Sequence, residues 1–243
     1  MAEQEIIKHT KKVYRVWNSK QHTTWQKIKE FAVEIFIIVF AVTISIWFHN
    51  WSEHRHEKTV VKEFLLGLKE DLQKDIKEME IDSTVYARTS AAFAYITSIK
   101  YGEILNEDSL NKFQDVIFNT TGMIPNNGRF EGFKSSGKIG LIEDNALQNE
   151  ILDLYQEDIP GLISSTDKYT ERKVELFKYI AQTRKKNPDN TYNLNVVLSA
   201  DVGQNICGSI VYVGEILERY GKCLQTSKNI IKKIDELYPG DSK

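Results

Sequence analysis

The sequence predicts an all-α protein. One N-terminal transmembrane helix is expected to continue into a long helix, and an extracytoplasmic helical bundle with a long C-terminal heptad helix follows. Three observations carry this prediction. Residues 31–48 are mostly apolar with Glu34 as their only formal charge, and the 243 residues include only four prolines. After the apolar stretch, apolar side chains recur at spacings of three and four, as they do along one face of an α-helix.

Charge and hydropathy divide the chain into three predicted parts. Residues 1–30 form a basic tail with seven Lys or Arg. Residues 31–51 form the transmembrane helix, because its eighteen apolar-stretch residues span roughly 27 Å, close to the hydrocarbon thickness of a bilayer. Residues 52–243 form a mildly acidic domain with 25 Lys or Arg against 30 Asp or Glu. This balance does not indicate nucleic-acid binding.

The distribution of basic residues predicts the orientation of the span. Six Lys or Arg lie in residues 11–30 before the span, and three lie in residues 49–68 after it. Because cytoplasmic flanks carry the excess of positive residues, the N-terminus is expected in the cytoplasm. The C-terminal domain is then expected in the periplasm, outside the inner membrane of a bacterium. The lipid bilayer is the first predicted partner.

Glu34 is the one formally charged residue of the span. It lies about one turn from the predicted cytoplasmic end, so its carboxylate is expected to reach the headgroups or to pair with another copy of the helix. A proton- or ion-handling role stays open, because ionisable groups inside membrane spans are usually functional. Thr43 and Ser45 are expected to bond to their own helix backbone or to a neighbouring helix.

Polar and aromatic residues follow the span. His49, Asn50, Trp51 and Glu53 are expected at the headgroup boundary, where Trp side chains are favoured. His49, Glu53 and His56 would share one helix face, which is compatible with a metal site, but a fourth ligand is missing. No metal site is therefore predicted.

Two stretches resemble an uncharacterised family of small single-pass membrane proteins from Bacteroidota. The first is EIFIIVFAVTISIWFHNWSEHRHE, followed by EFLLGLKEDLQKDIKEM. In it, Glu34 lies early in the span, and Asn50, Trp51 and Glu53 match an Asn-Asn-Trp-Asn-Glu pattern at its outer end. The second is FKSSGKIGLI, residues 133–142. The resemblance implies this membrane topology and no assigned activity.

Helical periodicity predicts the first elements of the outer domain. The first helix is expected to leave the membrane without a break and to bury one apolar stripe. A second helix is expected to begin at Asp82 or Ser83 and to end at Gly102, and a third to begin at Asp108 or Ser109. The acidic pair at 70–71 is interpreted as solvated. The predicted stripe comprises Val61, Leu65, Leu68, Leu72, Ile76 and Met79, and the predicted exposed face comprises Lys69, Glu70, Lys74, Lys77 and Glu78.

Residues 120–144 are the least regular part of the domain. A short helix is predicted near residues 129–136, with Gly137 as its left-handed stop. The glycine and lysine spacing does not match a phosphate-binding loop, so a structural corner is expected, in which the serines satisfy backbone groups. The corner is also the best candidate for a partner contact, since loops on rigid scaffolds often carry binding. Its candidate contact residues are Phe133, Lys134, Ser135, Ser136 and Gly137.

The rest of the chain is predicted as three helices. The first covers residues 145–155, and the second carries Pro160 in its first turn and runs to about residue 185. The last is expected as one piece over residues 199–237, packed against the first long helix, another copy, or both. The second of these helices is expected to bury Ile163, Val174, Phe177 and Ile180, and the last to bury a heptad seam of Ile206, Ile210, Val213, Leu217, Tyr220, Leu224, Ser227, Ile231 and Ile234.

The chemistry-bearing residues indicate no enzyme. Cys207 and Cys223 would lie about 24 Å apart along one helix, which excludes an intrachain disulfide. An intermolecular disulfide through Cys223 stays open. All five histidines lie in the first 56 residues, and the sequence contains no Cys-x-x-Cys, HExxH, GxSxG or dinucleotide-binding motif. No catalytic residue and no cofactor are predicted.

Three functions fit these predictions. The leading one is a membrane-anchored periplasmic helical protein that acts as a protein–protein interaction or scaffold subunit. It is expected to form a homo-oligomer and to contact an unidentified membrane or periplasmic protein. The second is a transmembrane sensor or regulator with a ligand-binding outer domain. The third is an ion-conducting subunit that uses Glu34.

Overall fold

A computed structural model describes residues 7–8, 11, 14–15 and 24–240. The described backbone consists of helices and turns, and its one isolated antiparallel bridge joins Lys186 and Tyr192. The predicted all-α fold class is therefore confirmed. Most of the predicted basic tail lies outside the described residues. The helices are α1 Thr24–Thr97, α2 Glu107–Asn111, α3 Gln114–Phe118, α4 Gly128–Ser135, α5 Asn145–Asp153, α6 Ile159–Thr183, α7 Leu194–Ser199, α8 Asp201–Ile210 and α9 Gly214–Leu237, with a 3₁₀ turn at Lys138–Leu141 and a π-helical segment at Leu154–Asp158.

The chain divides into two compact units, Met1–Val60 and Val61–Lys243. The first unit contains an 18-residue window of α1 with a mean hydropathy of 2.4, of which only 6% is buried. Large apolar side chains of this window, such as Phe36 and Val39, are exposed by more than half of their surface. Within the described residues, α1 is the one helix that is long and apolar enough to cross a membrane.

The second unit has its own hydrophobic core, and α1 contributes the predicted stripe to it. Five of the six predicted stripe residues are buried, and Ile76 is half-buried. Lys69 of the predicted exposed face is also buried and pairs with Asp235 of α9. The prediction of a solvated lysine at this position is therefore wrong, because an acidic partner from α9 lies against it.

α1 continues through residue 82, so the predicted helix start at Asp82 or Ser83 is wrong. The Asp82 carboxylate does not cap a helix. It accepts a hydrogen bond from the Tyr220 hydroxyl at 3.1 Å and another from the Thr121 hydroxyl. The chain turns instead near Gly102, which adopts a positive φ of 82°. The Asp82 side chain, predicted as a helix cap, therefore binds Tyr220 and Thr121 from other parts of the fold.

α9 packs against the second half of α1 in an antiparallel orientation. Lys228 Nζ lies 2.9 Å from Glu80 Oε1, while Asp82 reaches back to Tyr220. This confirms the prediction that the C-terminal helix packs on the first long helix. The prediction of one continuous helix is wrong, because α8 ends at Ile210 and α9 begins at Gly214.

Side chains from two other helices satisfy carbonyls at the break between α8 and α9. Ser90 Oγ of α1 donates to the Val211 carbonyl at 2.7 Å, and Arg172 Nη1 of α6 donates to the Ser209 carbonyl at 3.2 Å. Carbonyls at a helix end need such partners. The break is thus built into the packing of α1, α6 and α8.

The buried seams of α6 and α9 keep helical spacing but differ from the predicted ones. In α9, Ile216, Cys223 and Ile230 are buried, each one position before a predicted seam residue. Both helices contact more than one neighbour, since α6 packs against α8 and α9. The buried side of each helix therefore lies between the faces that contact its two neighbours. Ile210, Val213, Tyr220, Ser227 and Ile234 of the predicted seam are buried, and α6 buries Leu162, Tyr169, Leu176 and Ile180 with Pro160 in its first turn.

Candidate functional site

Glu34 is the one buried side chain of the apolar window, with 5% of its surface exposed. Burying a carboxylate costs free energy unless polar groups or protonation compensate. The window's hydroxyls bond to their own helix backbone, which is the first of the two predicted arrangements. Thr43 Oγ1 donates to the Val39 carbonyl and Ser45 Oγ to the Ala41 carbonyl, each at 2.8 Å. Glu34 therefore differs from the rest of the window both in chemistry and in burial.

The juxtamembrane residues lie on the exposed surface of α1. His49 Nε2 lies 3.9 Å from Glu53 Oε2, one helical turn further on. The Arg55 guanidinium lies over the Trp51 ring, 4.9 Å from its centroid, and Asn50 is exposed beside them. Within the part of the chain that the structure describes, no three His, Cys, Asp or Glu side chains come together as a metal site would require.

The predicted structural corner is confirmed. Helix α4 ends at Ser135, and Gly137 follows with a left-handed φ of 72°. The Ser135 and Ser136 hydroxyls each donate to the carbonyl three residues back, at 3.2 and 2.8 Å. The two serines therefore satisfy backbone groups at the end of α4, and their hydroxyls are already engaged.

The candidate partner-contact residues of this corner separate into two kinds. Phe133 is buried and stacks on Phe64 of α1, with ring centroids 3.8 Å apart. Lys134 is exposed, as are the three residues that follow it, and its ammonium lies 5.6 Å from the Phe130 ring centroid. A partner contact at this corner stays a prediction. It concerns the exposed residues 134–137, with Phe133 as their support in the core.

The sequence did not reveal an acidic ladder on α1, formed by Asp71, Asp75, Glu78 and Asp82. The ladder binds the segment 121–129 in reverse order, one side chain per helical turn. Asp71 is only 9% exposed, so the solvated interpretation of the 70–71 pair is wrong for Asp71. The four contacts are Arg129 Nε to Asp71 Oδ2 at 2.9 Å, the Asn126 amide N–H and side chain to Asp75 Oδ1 at 3.1 and 2.6 Å, the Ile124 amide to Glu78 Oε1 at 3.0 Å, and the Thr121 hydroxyl to Asp82.

Glycine permits the first rung of this ladder. The Arg129 guanidinium lies directly over Gly67 of α1, where any side chain at position 67 would meet it. Arg129 reaches Asp71, one turn further along α1, from this position. A glycine inside a helix lowers helix propensity, so its presence here is explained by the close approach of Arg129.

Asp75 is the fully buried rung. Its Oδ2 atom has no hydrogen-bond partner in the described part of the chain, and neither has the buried Tyr155 hydroxyl. Burial raises the pKa of Asp75, and the two hydrogen bonds from Asn126 partly oppose this shift. Burial, together with the charges of Asp75 and Asp71, also raises the pKa of Tyr155. These groups form a buried polar layer in the core of the unit.

A tyrosine cluster lies beside the last rung. The Tyr86 and Tyr169 rings meet edge to face with centroids 5.3 Å apart, and Tyr86 donates its hydroxyl to the Thr121 carbonyl at 2.7 Å. The Tyr220 ring lies 5.8 Å from that of Tyr86. Burial raises the pKa of all three phenols, so each stays protonated and able to donate. The Tyr169 hydroxyl is the donor of this cluster that has no partner among the described residues.

Lys173 is a buried lysine without a carboxylate partner among the described residues. It is 2% exposed, and its ammonium donates to the carbonyls of Val116, at 2.7 Å, and of Asn119. Burial lowers the pKa of Lys173 to about 8. The neighbouring cavity has a volume of about 10 Å³, comparable with a single water molecule. This volume excludes an organic ligand, so Lys173 acts as a structural donor for the segment that links α3 to the ladder.

A larger cleft of about 150 Å³ lies between α6 and the start of α9. Lys168 and Arg172 of α6 and Glu215 of α9 are its charged lining residues. Glu215 is already engaged, because Arg219 Nε donates to its Oε1 at 3.0 Å and holds its pKa below the usual range. The remaining lining residues are Ser165, Tyr169, Tyr212, Val213 and Ile216.

Both cysteines are buried in the core as free thiols. Burial raises the pKa of Cys207 to about 12 and that of Cys223 to about 11. Thiols of such high pKa are poor nucleophiles at neutral pH. The two thiols are free, as predicted, but they lie on different helices, α8 and α9, so the premise that one helix separates them is wrong. Burial of Cys223 removes the basis for an intermolecular disulfide at that residue.

These features define an all-α protein with one candidate membrane-spanning helix and a helical unit whose core contains buried carboxylates. Residues 34–202, more than half of the chain, match the model of a family of unknown function, DUF6090. The chain belongs to this family. No curated protein and no solved structure matches the chain.

Proposed function

We propose that this protein is a single-pass protein of a bacterial inner membrane, with its N-terminus in the cytoplasm and the unit Val61–Lys243 in the periplasm. In this proposal it works as a non-enzymatic interaction subunit and associates with further copies of itself. The observation that carries the proposal is the exposure of the apolar window on all sides of α1. Soluble monomers rarely expose contiguous apolar patches larger than a few hundred Å².

Exposed apolar side chains of the second unit support the interaction role. The Leu105 amide donates to Ser199 Oγ at 2.9 Å and joins the turn after α1 to the end of α7. Ile104 and Val202 flank this hydrogen bond in sequence and are exposed by 61% and 54%. Contiguous apolar patches on the surface of a folded unit are typical of protein contact sites, and Ile104 and Val202 are proposed as parts of one such patch.

Two measurements test this proposal. The orientation is measured with alkaline phosphatase, which folds only outside the cytoplasm, and with green fluorescent protein, each fused to the C-terminus. We expect phosphatase activity and little fluorescence, and the opposite pattern contradicts the proposed orientation.

Self-association is measured by crosslinking in native membranes. We expect dimers or larger species of the wild-type chain, and fewer of them in the Ile104→Ser/Val202→Ser variant than in the control Ile81→Ser. A monomer under every condition contradicts self-association.

The cleft between α6 and α9 favours a second candidate function, that of a sensor. It brings cationic side chains and hydroxyl groups together around a volume of about 150 Å³. Ligand pockets combine a concave surface with a few convergent polar groups. If ligand binding changes the association state, crosslinking yields will change when ligand is added. Unchanged yields at saturating ligand contradict the sensor.

A further inference from the structure

We infer that the cleft between α6 and α9 binds a small oxyanion, a phosphate or carboxylate group. This inference concerns the binding itself, and it stands whether or not the protein acts as an interaction subunit. Cationic side chains, a helix N-terminus and a buried hydroxyl without a partner meet at this one place.

The cationic side of the cleft is formed by Lys168 and Arg172, which lie one turn apart on the same face of α6. Lys168 forms no salt bridge with the described residues. Arg172 uses one nitrogen, Nη1, for the Ser209 carbonyl. Its planar guanidinium carries further N–H donors, which suit paired hydrogen bonds to carboxylate or phosphate oxygens.

Glu215 does not cancel this positive charge. Its carboxylate is held by Arg219, with Nη2 at 3.0 Å from Oε1, and it accepts a hydrogen bond from Ser165 at 3.3 Å. Among the residues that line the cleft, Lys168 and Arg172 outnumber the single carboxylate of Glu215. The cleft therefore has a net positive charge before any ligand is present.

The first turn of α9 forms another wall of the cleft through Val213, Glu215 and Ile216. α9 has 24 residues, and the side chain of its N-cap residue, Val213, gives no capping hydrogen bond. The N-terminus of a helix carries partial positive charge and unpaired amide donors, which favour an anion.

Tyr169 is the independent observation that points to a ligand. It lines the cleft, is 4% exposed, and its hydroxyl has no hydrogen-bond partner in the described residues. A buried hydroxyl without a partner is unfavourable. Tyr169 also borders the water-sized cavity beside Lys173, and it joins Lys168 and Arg172 in lining the cleft, so an oxyanion that reaches its hydroxyl would supply the missing hydrogen-bond acceptor.

The volume of the cleft limits the ligand. About 150 Å³ accommodates inorganic phosphate or a carboxylate with a few carbon atoms. An apolar cavity of about 150 Å³ in another protein holds benzene, a ligand of six heavy atoms. Nucleotides and larger cofactors are too large to enter this cleft completely.

The test is isothermal titration calorimetry of the full-length protein in a neutral detergent, with inorganic phosphate and acetate as probes. We expect saturable binding of at least one probe with a Kd in the millimolar range or tighter. Arg172→Gln should weaken binding at least tenfold, because hydrogen bonds to charged groups are the strong ones. Lys178→Gln, an exposed cation of the same helix outside the cleft, is the matched control and should bind as the wild type does.

Tyr169→Phe separates a binding role from a structural one. The phenyl ring keeps the edge-to-face contact with Tyr86, so folding should be maintained. We expect about tenfold weaker binding and an unchanged or higher melting temperature of the free protein, since an unpaired buried hydroxyl is removed. The inference is overturned if neither probe binds saturably, or if Arg172→Gln and Tyr169→Phe both bind with wild-type affinity.

Two sources could supply this oxyanion, a soluble anion or a phospholipid headgroup. Phosphatidylglycerol added to the micelles distinguishes them, with diacylglycerol as the phosphate-free control. If phosphatidylglycerol alone competes with inorganic phosphate, the headgroup is the ligand. If neither lipid competes, the ligand is soluble. Both results support the oxyanion site, whereas equal competition by diacylglycerol contradicts it.

Discussion

Two stretches of helix α1 bury their apolar side chains in different ways. In residues 31–48 apolar side chains surround the helix, and all but one of the side chains are exposed or half-buried. Between Val61 and Ile96 most apolar residues occupy one face and are buried in the core of the second unit, whereas Ile81 is exposed. The first stretch needs an apolar solvent on every side, whereas the second stretch needs a protein partner on one side. Hydrophobicity therefore identifies the first stretch, and periodicity identifies the second.

The two stretches also treat carboxylates differently. The apolar window contains a single one, Glu34, whereas the second stretch buries several along the acidic ladder. Each rung of the ladder has a donor from the segment 121–129, and Asp82 has a further donor in Tyr220. Carboxylates are tolerated in a core when donors from elsewhere in the fold meet them.

The largest expected effect comes from substitutions that disrupt membrane insertion of the first stretch. Replacing Val39 and Val42 together with Arg places two charges near the centre of the window, at a cost of about 5–7 kcal/mol for insertion into a bilayer. We expect the variant to leave the membrane fraction in carbonate extraction. The matched control is Ile81→Arg, an exposed position of the second stretch, which should remain in the membrane fraction. If the double variant stays membrane-bound, the window is not the anchor.

The next largest effect is expected from a core substitution in the second stretch. Leu72 is fully buried, so Leu72→Ala should lower the free energy of unfolding of the helical unit by about 2–5 kcal/mol. Urea unfolding of the full-length protein in detergent, followed by circular dichroism, measures this change. Ile46→Ala in the exposed window should leave the same transition unchanged. Equal losses for the two variants would remove the distinction between the stretches.

A smaller effect concerns the charge of Asp75. Burial raises its pKa in the folded protein, so the folded state holds this proton to a higher pH than the unfolded state does. Stability contributed by the protonated form is therefore lost as pH rises from about 4 through the raised pKa. Asp75→Asn keeps an oxygen for Asn126 and removes the charge. At pH 7 we expect about 1 kcal/mol of added stability, which shrinks as pH falls toward 4.

Urea unfolding at a series of pH values measures the difference between Asp75→Asn and the wild type, so that the titration of other groups cancels. Asp115→Asn is the control, because the Asp115 side chain is 52% exposed in its pair with Arg88. The interpretation of Asp75 is wrong if both variants show the same dependence on pH.

The smallest expected effect concerns the two hydroxyl groups of the apolar window. The Thr43 and Ser45 hydroxyls bond to carbonyls of their own helix, so Thr43→Val and Ser45→Ala should change neither membrane retention nor crosslinking yield. A drop in crosslinked dimer in either variant would show that these hydroxyls bond between copies of the helix instead.

Local patterns of the sequence predicted those features that depend on neighbours in the chain. The stripe of α1 follows from spacings of three and four, and the corner at Gly137 follows from a glycine after a short helix. The end of one helix and the start of the next at 211–213 left no signal, because apolar spacing continues across the break. Its carbonyls are satisfied by Ser90 and Arg172, which lie far away in sequence.

The candidate site was less predictable for the same reason. In the sequence, Asp71 and Asp75 resemble solvated helix residues. In the fold, their partners are Arg129 and Asn126, which lie more than fifty positions later in the chain. The cleft depends on the angle at which α6 meets the start of α9, and periodicity carries no information about that angle. Tyr169 had a signal that could have been used, since it lies between Lys168 and Arg172 on one predicted helix.

The acidic ladder constrains chain length in the segment that it binds. Donors at 121, 124, 126 and 129 must reach carboxylates fixed one helical turn apart on α1. A single-residue insertion between two of these donors would shift every later one out of register and leave a buried carboxylate unmatched. Insertions should be tolerated far better in the exposed turn near Gly102, where the backbone runs over the surface and no such register exists. The number of residues between these donors is therefore fixed, although the segment contains almost no regular secondary structure.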